Sequence, residues 1–407
     1  MLTYEEAYRE IIRNSLEPKY GKVSIIESCK YFLAEDIISK DDIPINDNSA
    51  MDGYAVNTLD LTDATQINPV LLTISEQDIA AGVFEKLVLK RGTCIKIMTG
   101  APIPSGCDCV VKKEDIKIID NQIVFFRACE PFENIRRKGE DIKKGETVFK
   151  KGEKIYPASI GVMASLGIKE VLINTPPIIG IISTGNELVD AGDDLSFGKV
   201  RDSNGYSLAS QVKEAGARYV SYGIVKDSKD EIARSIKNAS SECDIVLISG
   251  GVSVGDYDYI KEILNKLNAD EIFWGVKQKP GKPMAFYKLD KKLIFGLPGN
   301  PVSVMVCFEL YVRPLIRKML GFKYLQRNSI TTRIKHPFSH ETGRTEFVRV
   351  VLEKEGDYNY LASITGEQGS GILSSMAKAD GIAEIEIDKK DIKEGDKIKV
   401  FVIKDEL

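Results

Sequence analysis

Histidine is nearly missing from this 407-residue chain: only His336 and His340 occur. The seven cysteines form no C-x-x-C and no Cys/His ligand set, Cys107 and Cys109 being the only close pair. These shortages argue against a structural zinc site and against a histidine-based triad. An odd number of scattered cysteines fits a reducing compartment. Basic charge is not in excess either. With Lys+Arg 56 against Asp+Glu 60, the net charge is -4, which removes the electrostatic basis for general nucleic-acid or anionic-membrane binding. No apolar run approaches ~18 residues, and the N-terminus is acidic rather than a basic-then-apolar leader. The expectation is a soluble cytoplasmic protein with no nucleic acid and no membrane as partner. What the chain does have is apolar content, 43%, enough for roughly two to four cored domains.

The chemistry centres on Asp244–Asp258, which reads DIVLISGGVSVGDYD. Ile245–Ile248 is an unbroken apolar run, the pattern of a strand buried on both faces. It enters Ser249-Gly250-Gly251-Val252-Ser253-Val254-Gly255, and a periodic helical segment follows. Strand, glycine turn and helix in that order aim backbone N–H groups at a phosphate or another oxyanion. The spacing is neither the dinucleotide G-x-G-x-x-G nor the P-loop, since Lys282 is followed by Pro283. Nearby carboxylates (Asp244, Asp256, Asp258) point to a bound cation.

Taken in order, Thr3 and Glu6 form a capping box ahead of an apolar stripe at Ala7, Ile11, Ile12 and Leu16. The next reach is turn-rich and then β: runs at Val70–Ile74, Cys94–Met98 and Cys109–Lys112, with a hairpin of Ile116–Ile119 and Ile123–Phe126. A strand near Thr147–Phe149, a helix after Pro157 and a strand at Glu170–Ile173 precede Pro176-Pro177, a boundary. Beyond it the rhythm is βαβα. Strands are expected at Ile178–Ser183, Tyr219–Val225, Ile245–Ile248 and Leu293–Phe295, and helices at 205–215, 228–240, 257–267 and 301–320. That alternation predicts a parallel sheet covered on both sides. After Gly321 the pattern returns to β.

An open parallel sheet binds ligands beyond the carboxyl ends of its strands. The segments just past the four strands are Thr184-Gly185-Asn186-Glu187, Asp227, the glycine loop, and Gly296-Leu297-Pro298-Gly299-Asn300-Pro301-Val302-Ser303. Their convergence marks one site. Lys279 and Lys282, set among proline and glycine, give a stiff loop of point charges suited to an oxyanion. Taken singly, each feature has a plainer reading: a cap, a solvated carboxylate or a steric turn.

Seven motifs together carry a family resemblance: SGGVSVG (249–255), KPGKPM (279–284), GLPGNPVS (296–303), NSAMDGYA (48–55), IMTGAPIP (97–104), RRKGEDI (136–142) and STGNEL (183–188). In their order along the chain they resemble the molybdopterin molybdenumtransferases, the family that includes the gephyrin E domain. The resemblance covers nearly the whole chain and extends less distinctively through GRTEFVR (343–349) and QGSGILSSMAKAD (368–380). It implies a multidomain α/β plus β fold. The parts are a doubly wound, mainly parallel α/β domain (1–20 and 176–322), a small linking domain (21–45 and 139–175), an inserted β domain (46–138) and a C-terminal β domain (323–407).

The implied reaction inserts molybdate into adenylylated molybdopterin and releases AMP with Mg²⁺. Ser249, Gly250, Gly251, Ser253 and Gly255 then resemble the loop holding the pterin's terminal phosphate. Lys279, Lys282, Pro298, Asn300, Pro301 and Ser303 resemble the wall around metal and oxyanion. Glu187, Asp227 and Asp258 look like the acidic, Mg²⁺-binding set. Asp52, Thr99 and Asp141 are further catalytic positions, Asp52 coming from the other subunit of a homodimer. Arg344, Arg349 and Ser370 are expected to handle molybdate. Implied protein partners are molybdopterin adenylyltransferase and molybdoenzyme acceptors. Asn186 and Asp256 depart from the residues commoner in the family.

Overall fold

The computed structural model describes residues 1–75, 88–251, 259–356 and 359–404. Ser253, Gly255, Asp256 and Asp258 therefore lie outside the described residues. The chain divides into two compact units, one of Met1–Gly21 with Ile173–Leu407 and one of Lys22–Leu172.

Helix α1 (Tyr4–Arg13) begins at the expected capping box: Thr3 Oγ1 accepts from Glu6 N, and Glu6 Oε2 accepts from Thr3 N. Its stripe of Tyr4, Ala7 and Ile11 is buried in the same apolar cluster as Ile179 and Leu293 of the α/β sheet.

The Lys22–Leu172 unit holds a six-stranded sheet built from β1 (Gly53–Val56), β2 (Val70–Ile74), β3 (Thr93–Ile97), β4 (Cys109–Lys112), β5 (Ile116–Ile119) and β6 (Gln122–Phe125). Their order is β4-β1-β3-β2-β6-β5. Only β2 and β3 run parallel; the other neighbours are antiparallel. Helix α2 (Pro157–Ser165) starts on a proline at its first position, where the missing N–H costs no hydrogen bond.

The other unit carries the α/β sheet. In chain order its elements are β7 (Ile178–Thr184), α3 (Ser203–Glu214), β8 (Arg218–Val225), α4 (Lys229–Glu242), β9 (Ile245–Ser249), α5 (Tyr259–Lys266), β10 (Asp270–Trp274), β11 (Gln278–Lys279), β12 (Ala285–Leu289), β13 (Lys292–Leu297), α6 (Pro301–Cys307) and α7 (Arg313–Leu320). The sheet order is β8-β7-β9-β13-β12-β10. The first four strands are parallel, and β12 and β10 add an antiparallel edge. Burial on both faces is literal. Ile245 and Leu247 join one cluster with Ile179, Ile181 and Phe295, while Val246 and Ile248 join a second with Ile182 and Ile294. Each such side chain contributes ~1.5–3 kcal/mol, so this strand cannot slip register without losing both cores.

The sequence reads residues 301–320 as one helix, but a π-helical turn over Phe308–Val312 separates α6 from α7. Pro314 accounts for it: proline has no N–H for the ladder, and its ring clashes with the carbonyl four residues back. The chain ends in a closed barrel. Strands β14 (Ser329–Ile334), β15 (Thr345–Glu355), β16 (Asn359–Ile364), β17 (Gly381–Ile385) and β18 (Lys397–Val402) pair in the order β15-β16-β14-β18-β17, and β17 returns to β15. Helix α8 (Leu373–Lys378) interrupts the strands, and β11 adds onto β15. Among the described residues no helix is long and apolar enough to cross a membrane.

Candidate functional site

Strands β7, β9 and β13 are neighbours, so the turns that leave their carboxyl ends meet. Gly250 and Gly251 leave β9 with φ of +96° and +65°, left-handed values that favour glycine. A Cβ on Gly250 would stand 2.5 Å from Thr184 O and 2.8 Å from Thr184 Oγ1. The neighbouring turn is equally near, since a Cβ on Gly299 would lie 3.8 Å from Gly250 Cα. Gly250 N donates to Leu297 O at 3.2 Å. Its amide is thus spent on the fold, and among the described residues Gly251 is the SGG amide left at the turn.

Asn204, near the start of α3, binds both turns. Its Nδ2 donates to Ser249 Oγ at 2.8 Å and to Gly299 O at 2.7 Å. Its Oδ1 is buried without a hydrogen-bond partner among the described residues. Reading the sequence by strand ends misses Asn204, because an asparagine after Asp202-Ser203 looks like helix capping. Asp202 is the cap, accepting from Gly205 N at 2.9 Å.

The acidic residues sit on the same sheet edge. Asp227 is half-buried and exchanges hydrogen bonds with Asn186: Asp227 Oδ2 accepts from Asn186 N at 3.1 Å, and Asn186 Oδ1 accepts from Asp227 N at 3.2 Å. Glu187 is exposed, with its carboxylate folded back onto Gly185. Lys199, which the sequence reading also passes over, donates to Asn186 O at 2.6 Å. Among the described residues no group of three or more His, Cys, Asp or Glu is placed to hold a metal. Two carboxylates at the edge that carries the glycine turn still suit Mg²⁺, which typically takes one or two carboxylates and completes its shell with phosphates and water.

The loop of β11 and the GLPGNPVS turn are both stitched to the C-terminal part. Gln278 and Lys279 pair in parallel with Thr345 and Glu346, and Val302 N donates to Ser370 O at 3.1 Å. Lys279 is ion-paired with Glu346 at 2.9 Å, whereas Lys282 is exposed. Pro298 and Ser303 are buried, Asn300 is exposed, and Pro301 opens α6. Arg349 lies inside the protein, only 1% exposed. It donates to Ser375 Oγ at 3.1 Å and Gly369 O at 3.2 Å, so it braces the loop that carries Ser370. Burial pushes its guanidinium down to about 10, against the pull of Glu346. Arg344 pairs at 3.4 Å with the exposed Glu341.

The remaining motifs meet within the Lys22–Leu172 unit. Gly100 N donates to Ser49 O and Ser49 N to Ala101 O, at 2.8 and 2.9 Å. Asn48 and Ser49 also pair with Arg136 and Ile135. NSAMDGYA, IMTGAPIP and RRKGEDI are thereby one assembly. Asp52 Oδ1 accepts from Thr99 N at 2.9 Å and Thr99 Oγ1 at 2.7 Å. The Thr99 backbone amide, then its hydroxyl, hold the Asp52 carboxyl below the usual range. Asp141 lines a separate cleft of about 550 Å³ with Asn48, Arg136 and Glu140.

Known proteins share this arrangement from end to end. Residues 2–167 match the MoeA N-terminal region (domain I and II), residues 180–318 a probable molybdopterin binding domain, and residues 331–403 the MoeA C-terminal region (domain IV). The molybdopterin molybdenumtransferase of Haemophilus influenzae is 34% identical over 405 residues, covering 98% of each chain. The chain belongs to the molybdopterin molybdenumtransferase family. A Staphylococcus epidermidis member is 32% identical over 98% of this chain and 95% of its own. The crystal structure of a molybdopterin biosynthesis MoeA protein from Pyrococcus horikosii superposes with a TM-score of 0.86 at 32% identity, covering 99% of both chains. This is a family of transferases in molybdenum cofactor biosynthesis, and its multidomain α/β plus β fold is the one described above.

Proposed function

We propose that this chain inserts molybdate into adenylylated molybdopterin and releases AMP, with Mg²⁺. The observation that carries the reading is the double anchor of Asn204, which sets the Ser249 and Gly299 turns side by side at the carboxyl ends of neighbouring parallel strands. Such an edge suits an anionic ligand, because backbone amides and lysines bind phosphate and molybdate alike. In this reading Ser249 and Gly251 hold the terminal phosphate and Gly250 shapes the turn that presents them, joined by Ser253 and Gly255 outside the described residues. Lys279, Lys282 and the Pro298–Ser303 turn wall the oxyanion. Arg344, Arg349 and Ser370 support them from the C-terminal side.

Glu187 and Asp227, with Asp258 outside the described residues, would hold Mg²⁺. Bound there, Mg²⁺ would supply positive charge to offset that of the substrate's phosphates. The residues' own work is to orient substrate and fix that charge. Asp227 is suited to it because Asn186 holds one of its oxygens in place. Sulfur ligands for molybdenum come from the pterin dithiolene, so the chain's own cysteines need supply none. Asp52, Thr99 and Asp141 belong to the proposed catalytic set, in a cytoplasmic homodimer. Molybdopterin adenylyltransferase upstream and molybdoenzyme acceptors downstream are the proposed protein partners.

The same glycine-turn α/β domain could serve adenylylation instead, so the test offers both reactions. Purified protein given molybdopterin and ATP should leave the ATP intact. Given adenylylated molybdopterin, Mg²⁺ and molybdate, it should release AMP. ATP consumption without molybdate-dependent AMP would reverse the assignment.

A further inference from the structure

Behind the KPGKPM loop lies a buried polar chain to which the proposed reaction gives no task. The parallel pairing of β11 with β15 sets Lys279 opposite Glu346. Lys279 Nζ is 2.9 Å from Glu346 Oε1. The other carboxylate oxygen, Oε2, is 2.7 Å from His340 Nδ1. The Glu346 and His340 side chains are 7% and 1% exposed, while that of Lys279 is 44% exposed.

A carboxylate accepts only, so Nδ1–H donates to it. His340 Nε2 is buried with no hydrogen-bond partner among the described residues. The contact with Glu346 thus fixes the imidazole by its Nδ1–H edge. Glu346 is held from behind by His340 while its other oxygen faces Lys279. A lysine ammonium has three donors on a flexible stem. One donor goes to Glu346, which fixes the head, and the exposed side of Lys279 leaves the others for a ligand.

We propose that Glu346, oriented by His340, is the positioning residue that fixes the Lys279 ammonium toward a bound oxyanion. This rests on the reading of Lys279 as an oxyanion ligand. Its consequence is that His340, out of reach of solvent, sets anion affinity through two intervening groups.

The test is calorimetric titration of the full-length chain with molybdate alone, with melting curves to confirm folding. Lys279→Met should weaken binding about tenfold or more. His340→Leu should weaken it about three- to tenfold, and His340→Asn, whose amide N–H can replace Nδ1–H, should recover to within about twofold. In the Lys279→Met background, His340→Leu should have no further effect. If His340→Leu is too unstable to titrate, the isosteric Glu346→Gln reads the same coupling: an affinity change that vanishes once Lys279 is Met. Wild-type affinity in the folded His340 or Glu346 variants, or an equal loss in the Lys279→Met background, would overturn the positioning role. Full affinity in Lys279→Met itself would instead overturn Lys279 as a ligand, and the relay with it.

Discussion

Asn204 Nδ2 donates to Ser249 Oγ at 2.8 Å, and the same amide reaches Gly299 O at 2.7 Å. One side chain thus holds together the two turns proposed to carry substrate. Replacing it by aspartate removes both donors and adds a negative charge where a phosphate is expected. Asn204→Asp should lose tenfold or more in affinity for adenylylated molybdopterin, and Asn204→Ala less. Stability should fall by about 1–3 kcal/mol in both, two hydrogen bonds at ~0.5–1.5 kcal/mol each. Calorimetry and urea titration separate the two effects.

Gly250 faces a tighter limit. A methyl group there meets Thr184 O, a backbone atom, at 2.5 Å, and the residue must also hold φ of +96°. Gly250→Ala should cost about 2–4 kcal/mol of stability. At Gly251 the nearest obstacle is the end of a side chain, Ile260 Cδ1 at 3.0 Å. Gly251→Val also carries the strain of φ +65°, but its nearest neighbours are side-chain atoms, and its binding defect should exceed its loss of stability. Equal affinity of Gly251→Val and wild type would make that turn a purely steric one.

Much of the α/β part is legible in the sequence because its strands are short apolar runs closed by glycine or proline. The expected Ile245–Ile248 is observed as Ile245–Ser249, and Leu293–Phe295 as Lys292–Leu297. What stays hidden is non-local. Strands Asp270–Trp274 and Ala285–Leu289 flank the proline- and glycine-rich KPGKPM loop, which draws the eye to a turn, and they pair with each other only across it. Barrel closure through β15 and β17 depends on residues far apart in sequence. For the site, glycines and strand-end carboxylates announce themselves by type and position. Asn204 and the Glu346–His340 pair do not, because their roles arise from packing between distant segments.

Thr99 supplies Asp52 with two hydrogen bonds, and these depress the carboxyl pKa. A depressed folded-state value means that the contact stabilises the protein above the unfolded-state carboxylate pKa. That contribution is lost as pH falls through the folded value. Thr99→Val removes the hydroxyl donor and keeps the amide, so the Asp52 pKa should move part of the way back up. Carbon-detected NMR titration of Asp52 checks the shift. The stability gap between Thr99→Val and wild type should close at low pH.

The carboxylates at the sheet edge separate chemistry from fold. Asp227→Asn keeps an oxygen for Asn186 N, and Glu187 is exposed. Neither Asp227→Asn nor Glu187→Gln should change stability by more than about 0.5 kcal/mol in metal-free buffer. Each should slow AMP release tenfold or more, since one well-placed electrostatic contact is typically worth ~2.7–4 kcal/mol of barrier. Full activity with clearly lowered stability would make that carboxylate a structural cap.

The most direct measurement is AMP release from adenylylated molybdopterin by the purified wild-type chain, with molybdate and Mg²⁺ each present or omitted. Rapid release is expected only when both are present, at one AMP per adenylylated molybdopterin consumed. Release that is indifferent to molybdate, or none under any condition, would contradict the proposed reaction.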